Sequence, residues 1–322
     1  MWKNLDLKRI AIGTLAVVVG LPILAWAVQP WPISVRWKNP ETTAYMDYRA
    51  ASARDAGEPF EIRQQWVPLD HISPELIRAV TAAEDDRFME HRGVDWKAVA
   101  EEVRYAGGLP PNILSSGDRR ALRDAWAYAR ENWSQVRGRS TITQQVARNL
   151  YLSPDRQLLR KGRELIIARR LERFLQKERI LEIYLNVAEL GPGIFGVEAA
   201  ARTYFGRSAA DLSPAQAAAL AATLPHPLTS NPARNPARME WRRDRILAYL
   251  GGGTEPVPPP ILDVLDPLPS DLVAPLAPED FLEPVELLPP PPLPPPAPEP
   301  PPAASPAPST EPPPPPLPDS IR

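Results

Sequence analysis

Two glutamates are predicted to lie on apolar helix faces, where a carboxylate can act as a general base. The Ser-Pro-Glu sequence at 73–75 supplies an N-cap and a proline at the first helical position, so a helix is predicted from here through Glu84. At about 100° per residue, Glu84 falls between Val80 and Ile77, whereas Asp85 is predicted to point away. Burial disfavours the charged form, so we expect a raised pKa for Glu84, as a general base requires. A surface or capping carboxylate is the alternative.

The second glutamate, Glu164, lies in the apolar stripe of another predicted helix. Ala168 and Leu171 follow it at helical spacing, and Arg160 and Lys161 precede it by one turn on the same side. This arrangement suits either a buried ion pair or, through its cations, the binding of a pyrophosphate. A solvated basic face is the remaining interpretation. The basic cluster of the segment comprises Arg156, Arg160, Lys161 and Arg163.

A capping box is predicted to start the helix between these two segments. Thr141 and Gln144 have the Thr-x-x-Gln spacing in which each residue caps the other. Because the free N–H groups of a helix N-terminus attract anions, an anion site is predicted in front of the cap. Gln144 and Arg148, four residues apart, add donors on one face. Taken alone, the same pattern also describes an ordinary helix start.

Residues 39–250 are predicted to form one mainly α-helical domain. Apolar residues recur at helical spacing, and strand-like alternation is scarce. A second Ser-Pro start at Ser213 predicts another helix, and the Gly- and Pro-rich stretch Tyr105–Gly117 predicts a loop. The Ile180–Asn186 block is interpreted as packing scaffold, with Glu182 as a surface carboxylate. The chain has no cysteine, which excludes a disulfide framework and a Cys-ligated metal site.

The N-terminus carries a predicted transmembrane helix. Residues 10–28 contain no charge and are long enough as a helix to cross about 30 Å of hydrocarbon. Basic residues within 1–9 and Trp26, Trp31 and Trp37 after the span predict a cytoplasmic N-terminus and an external catalytic domain. A cleaved signal peptide is the alternative.

Residues 251–322 form an acidic, proline-rich tail that is predicted to be disordered. The tail holds 28 of the 44 prolines and has 11 acidic residues against one basic residue, a formal charge of −10. Residues 1–250 therefore carry +8, which predicts an anionic partner for the folded body. The tail's composition cannot bury a core and favours polyproline II segments, as a spacer or as a ligand for another protein.

Four separated motifs, in this order, resemble the peptidoglycan glycosyltransferase family, whose lysozyme-like helical domain polymerises lipid II. They are Glu84-Asp85-x-x-Phe88-x-x-His91-x-Gly93-x-Asp95, then Gly138-x-Ser140-Thr141-Ile142-Thr143-Gln144-Gln145, then Arg160-Lys161-x-x-Glu164, and finally the Ile180–Asn186 block leading to Gly196-Val197-Glu198-Ala199-Ala200. The similarity covers about residues 42–250. With its N-terminal anchor, the chain is most similar to the monofunctional biosynthetic transglycosylases of Gram-negative bacteria.

The resemblance implies a reaction and a role for each motif residue. Glu84 would take the proton from the GlcNAc 4-hydroxyl of the acceptor, which attacks C1 of the MurNAc at the reducing end of the growing chain with inversion. Glu164 would position or stabilise the departing undecaprenyl pyrophosphate, together with a divalent metal, Mg or Mn, and no organic cofactor. The substrate-binding residues implied are Asp85, Phe88, His91, Ser140, Thr141, Gln144, Gln145, Arg148, Arg156, Arg160 and Lys161.

The resemblance also implies where the protein works and with what. Its partners would be lipid II, the growing glycan chain and membrane lipid, at the bacterial inner membrane with the catalytic domain in the periplasm. If the tail is a ligand and not a spacer, cell-division or elongation proteins are its expected partners, and nucleic acid is not expected as a partner. The chain departs from the family at Arg139, where a small residue is usual, and between Asp95 and Gly138, where it is longer. The tail lies outside the family pattern.

Two other functions stay open on the sequence. A lytic transglycosylase or lysozyme-type glycosidase shares the helical fold and a catalytic glutamate, but cleavage needs no pyrophosphate site, so the cations around Glu164 favour synthesis. The second alternative function is that of an inactive membrane scaffold that recruits partner proteins through the tail. No Ser-x-x-Lys followed by Lys-Thr-Gly occurs in the chain, which predicts that transpeptidase activity is absent.

Overall fold

The computed structural model describes residues 19–20, 26–132, 140–153, 157–253 and 257, and this part of the chain is mainly helical, as predicted. Three short strands are β1 (Arg63–Gln64), β2 (Glu189–Gly191) and β3 (Ile194–Phe195), and 3-10 turns lie at Ser34–Arg36, Leu69–His71 and Ala209–Asp211. The helices are α1 (Ala44–Ala56), α2 (Pro74–Glu84), α3 (Trp96–Glu102), α4 (Ser116–Glu131), α5 (Ile142–Tyr151), α6 (Gln157–Phe174), α7 (Lys177–Val187), α8 (Val197–Phe205), α9 (Pro214–Thr223) and α10 (Pro236–Leu250).

The predicted helix starts are confirmed. Ser73 caps α2 by accepting from the backbone N–H of Leu76, and full capping boxes open α5 at Thr141 and α9 at Ser213. The loop predicted over Tyr105–Gly117 ends two residues early, because Ser115 caps a helix that begins at Ser116. A serine at an N-cap is a start signal that the neighbouring glycines and prolines obscured in the sequence.

A small sheet fixes the chain that leads into α2. Its order is β1-β3-β2, with β1 parallel and β2 antiparallel to β3. Asn186, at the end of α7, accepts from the Val67 N–H at 2.8 Å and donates to the Val67 carbonyl at 2.9 Å. Gly196 follows β3 with φ of 81°, and a Cβ there would lie 2.6 Å from the Asn186 carbonyl oxygen. Glycine is therefore required at this turn by both conformation and contact.

The helices pack in two groups that share one apolar core. α2 packs against α9 and α10, while α5 packs against α6 and α7. Leu76 and Val80 of α2 and Val146 of α5 are among the core residues with essentially no exposure. The end of α2 and the beginning of α5 meet through hydrogen bonds, and the motif residues lie at this junction.

Several predictions fall largely on residues outside the described part. Of the predicted span 10–28 the structure describes only 19–20 and 26–28, and of the tail 251–322 only 251–253 and 257. Within the described residues, none of the helices has the length and apolar character needed to cross a membrane. The transmembrane helix and the disordered tail therefore stay predictions.

Candidate active site

Glu84 is the last residue of α2, and its side chain is buried as predicted. Only 5% of the residue is exposed. Its Oε2 atom accepts a hydrogen bond of 2.9 Å from Nε2 of Gln145, in the first turn of α5. The raised pKa expected for Glu84 stays a prediction.

Tyr184 determines how Gln145 faces Glu84. The Tyr184 hydroxyl, from α7, donates to Oε1 of Gln145 at 3.1 Å. Burial, and next the charge of Glu84, raise the pKa of Tyr184 well above its usual value, so the hydroxyl keeps its proton and acts as a donor. Because Gln145 accepts at Oε1, its amide nitrogen is the end that faces the carboxylate. Sequence reasoning had placed Tyr184 in the scaffold.

Asp85 is buried, which contradicts the prediction that it points away from the Glu84 face. The helix ends at Glu84, and Asp85 is its C-cap with φ of −162° and ψ of 76°, so helical spacing no longer applies to its side chain. Oδ2 of Asp85 accepts from the Ile142 N–H at 3.0 Å, at the start of α5. Both oxygens also lie within hydrogen-bond distance of Nε2 of His91, at 2.9 and 3.0 Å. The anion at this helix N-terminus is therefore the protein's own carboxylate.

Thr141 joins the first two motifs. Its hydroxyl accepts from the Gln144 N–H within the capping box and donates to the carbonyl of Gly93 at 2.8 Å. Gly93 lies in the left-handed region with φ of 86°. The segment that carries Asp85 and His91 is thus held against the N-terminus of α5 at two separate points.

Glu164 of α6 holds a pair of cations, as predicted. The residue is 1% exposed, and its carboxylate lies 2.8 Å from Nζ of Lys161 and 3.1 Å from Nη1 of Arg160. Lys161 also donates to the Ser140 hydroxyl at 2.9 Å. The Lys161 side chain is 44% exposed, and its ammonium group donates to Ser140, Gln144 and Glu164. The partly exposed cations of Lys161 and Arg160 suit an anionic ligand.

The remaining predicted substrate residues have different surroundings. Arg148 is half-buried on α5 and close enough to Tyr184 to influence its ionisation electrostatically, and no carboxylate of the described residues pairs with it. Phe88 is 1% exposed and packs under the Lys177 ammonium, 4.2 Å from the ring centroid. The structure therefore places Phe88 in the core, because its ring fills the space beneath His91. Arg156 lies outside the described residues.

A large apolar cavity of about 660 Å³ opens beside the His91 and Asp95 side. Its walls come from α3, from the loop that includes Leu109 and Pro110, and from Leu122 and Ala125 of α4. Cavities of this size, mostly apolar with a few polar groups, are typical of binding sites for small molecules.

The donor set does not fit the divalent metal that was expected. No group of three or more His, Cys, Asp or Glu side chains in the part of the chain described is placed to hold one. Both oxygens of Glu164 already accept from cations, at 2.8 and 3.1 Å, and those positive charges would oppose a metal ion at the same carboxylate. No step of the reaction is therefore routed through a metal, and the need for Mg or Mn stays a prediction.

The chemistry that this geometry supports is group transfer away from an anionic leaving group. Gln145 and Ser140 flank the start of α5, the first holding the buried carboxylate of Glu84 and the second the ammonium of Lys161. A buried carboxylate and a pair of cations are thus held by residues on either side of the α5 N-cap. Such an arrangement suits the activation of a hydroxyl and the stabilisation of a departing anion.

Comparison with known proteins identifies the class. The sequence model of the family described as Transglycosylase matches residues 53–106 and 117–250, more than half of the chain. The biosynthetic peptidoglycan transglycosylase of Bordetella pertussis is 41% identical over 235 residues, which cover 70% of this chain and 88% of that protein. The protein of the same name from Rhodospirillum centenum is 43% identical over 242 residues, covering 74% and 88%.

The chain belongs to the transglycosylase family and is a glycosyltransferase. The resemblance inferred from the four motifs is thereby confirmed. Residues 107–116, which the family model leaves unmatched, lie within the stretch predicted to be longer than in the family. They include Leu109 and Pro110 in the wall of the apolar cavity.

Proposed function

We propose that this enzyme polymerises lipid II into the glycan strands of peptidoglycan. The observation that supports it most is that Glu84 and Lys161 are both attached near the N-terminus of α5, through Gln145 in its first turn and Ser140 just before its N-cap. A sugar hydroxyl approaching Glu84 and a pyrophosphate bound near Lys161 would then act on one anomeric carbon. The names of the relatives support peptidoglycan as the product.

In the proposed reaction, the GlcNAc 4-hydroxyl of lipid II attacks C1 of the MurNAc at the reducing end of the growing chain. Glu84 takes the hydroxyl proton as the new O4–C1 bond forms. The bond between C1 and the pyrophosphate oxygen breaks, C1 is inverted, and undecaprenyl pyrophosphate leaves with the electron pair. Lys161, Arg160 and Arg148 stabilise the charge on the departing group, while Glu164 holds the first two in place.

We also propose that the enzyme works at the membrane, as inferred from the sequence. Residues 10–28 anchor the enzyme in the bacterial inner membrane, with residues 1–9 in the cytoplasm and the catalytic domain in the periplasm. Lipid II and the growing chain are the substrates, membrane lipid surrounds the anchor, and the tail binds cell-division or elongation proteins. The large apolar cavity next to the site supports an amphiphilic substrate. The product is an uncrosslinked glycan, since the chain lacks the transpeptidase motifs.

The test is polymerisation of labelled lipid II by the purified full-length protein in detergent, beside the Glu84→Gln variant. The proposal expects long glycan from the wild type and none from a variant that is folded by circular dichroism. A parallel reaction with preformed glycan distinguishes synthesis from cleavage. Shortening of that glycan, without polymerisation, would instead identify a lytic enzyme. Failure of a folded wild type in both reactions would favour the scaffold function.

A further inference from the structure

A buried arginine from the last helix, Arg242, lies against the end of α2. The residue is 1% exposed, although a guanidinium is always charged. Its Nη2 atom donates to the Ala83 carbonyl at 3.1 Å and lies 3.5 Å from Oε1 of Glu84. Burying a cation is costly unless an anion or a carbonyl compensates for the lost water. Arg242 therefore contacts the backbone and the side chain of the same helix end.

The two oxygens of Glu84 are fixed from two different helices. Gln145 of α5 donates to Oε2, and Arg242 of α10 faces Oε1. The amide is neutral and locates the carboxylate, whereas the guanidinium also supplies charge. Both contacts favour the charged form of Glu84, and Arg242 is the one that also carries a full positive charge.

The other charges around Glu84 mostly oppose its ionisation. Burial disfavours the carboxylate form, and neighbouring acidic side chains do the same. Arg148, which is half-buried, and Arg242 are cations whose charges act, with those of Glu84 and Asp85, on the neighbouring Tyr184 hydroxyl. Asp86 and Asp95 line a small cleft together with Glu84 and Asp85.

His226 is close enough to Arg242 for the two charges to interact, but it adds no charge over the pH range of an assay. Burial, and next the charges of Arg238 and Arg242, lower the pKa of His226 to about 4. The imidazole is therefore neutral above about pH 5.5, well over one unit beyond that value. A change in activity between pH 5.5 and 9 cannot be assigned to this histidine.

We propose that Arg242 is a positioning residue for catalysis, which keeps the buried Glu84 carboxylate ionised and aimed so that it can accept the proton of the incoming hydroxyl. This inference rests on the proposed role of Glu84 as the base. It assigns a function to α10, which contributes none of the residues singled out from the sequence. The Arg242–Glu84 ion pair keeps the base in its active, ionised form. A neutral residue in place of Arg242 would leave the Glu84 carboxylate buried beside acidic groups.

The test is the pH dependence of lipid II polymerisation, as kcat/KM from pH 5.5 to 9, for wild type, Arg242→Met and Arg242→Lys. Without the cation, Glu84 binds its proton at higher pH, so the acidic limb of the Arg242→Met profile moves upward by about one unit or more. The variant regains much of its activity as pH rises. Arg242→Lys restores the charge and moves the limb back toward the wild type.

The matched control is Arg49→Met. Arg49 lies 2.9 Å from the buried carboxylate of Glu189, so this change also removes a guanidinium beside a buried glutamate. The acidic limb of this variant should stay where the wild type has it, whatever its stability. Arg242→Gln, which is polar and neutral, replaces Arg242→Met if circular dichroism shows that the methionine variant does not fold.

A uniform loss of rate at every pH, with the limb unmoved in the neutral variants, would overturn the proposal and leave Arg242 with a structural role. The same conclusion follows if Arg242→Lys behaves like the neutral variants while remaining folded. A different result would refute the proposed role of Glu84 as the base. In that case the Glu84→Gln variant would polymerise lipid II at the wild-type rate. The two failures are distinguishable because they are read from different variants.

Discussion

Glu84 and Glu164 are both buried glutamates at helix positions facing the core, yet their surroundings differ. Glu164 is paired with two cations, at 2.8 and 3.1 Å, one for each oxygen. Glu84 accepts a hydrogen bond from the neutral Gln145 amide at 2.9 Å, and its other oxygen faces the Arg242 guanidinium at 3.5 Å. Burial is nearly the same, with 5% and 1% of the two residues exposed.

The two carboxylates are buried to a similar extent but have different hydrogen-bond and ion-pair partners. Their proposed roles in the reaction follow from those partners. In the proposed reaction Glu164, with a cation at each oxygen, holds Lys161 and Arg160 toward the leaving group. In the same reaction Glu84, held by Gln145 and Arg242, accepts the proton of the incoming hydroxyl. The four predictions that follow test this division.

The largest effect is expected from Glu84→Gln. Removing a general base costs roughly 10²- to 10⁴-fold in rate, and loss of the anion beside the buried Arg242 should also lower the melting temperature. Polymerisation kinetics and thermal denaturation measure both. Glu189→Gln is the control, because that buried carboxylate, held by Arg49 and Tyr45, is outside the site. A loss of less than tenfold in Glu84→Gln would remove the contrast with Glu164.

Lys161→Met tests the cation side. Its ammonium group donates to both Ser140 and Glu164, and we expect it to stabilise the pyrophosphate in the transition state. Loss of one such donor costs about 10²- to 10³-fold in kcat. Lys161→Arg keeps the charge and should recover part of the rate in the same assay. Equal activity of the methionine variant and the wild type would contradict an anion site here.

Asp85→Asn should act on stability more than on chemistry. The substitution removes the charge from the hydrogen bonds to His91 and to the Ile142 N–H, at the junction of α2 and α5. Bonds to charged groups contribute about 1.5–3 kcal/mol, so urea denaturation should show a loss of about this size. An unchanged urea midpoint would mean that Asp85 does not hold the two helices together. Asp86→Asn, at the next position, is the comparison.

Glu182→Gln should have the smallest effect. Glu182 was predicted to be a surface carboxylate, but it is only 19% exposed, pairs with Arg179 and accepts from the Leu69 N–H. The glutamine can keep the backbone bond, so activity should stay near that of the wild type with a loss of about 1 kcal/mol or less in stability. A catalytic loss comparable to that of Glu84→Gln would refute the assignment of the base.

The helix starts and the burial of both glutamates followed from local patterns. Capping residues and apolar spacing act within a few residues, so Ser73, Thr141 and Ser213 were readable as caps. Asp85 could not be recognised as a C-cap from the sequence, because neither a glycine nor a proline marks the end of α2 after Glu84. Without such a signal the predicted helix was extended one residue too far, and the direction of the Asp85 side chain was predicted wrongly.

By itself, the sequence determined the mainly helical fold, the family and the two carboxylates at its centre, since periodicity and motif spacing are properties of the chain. Only the tertiary structure decided that Tyr184 orients Gln145 from 39 residues away and that Arg242 faces Glu84 from the last helix. Those contacts depend on how α5, α7 and α10 pack against the end of α2. No local pattern specifies that packing, because each helix buries its apolar face without encoding which polar group it brings to its neighbour.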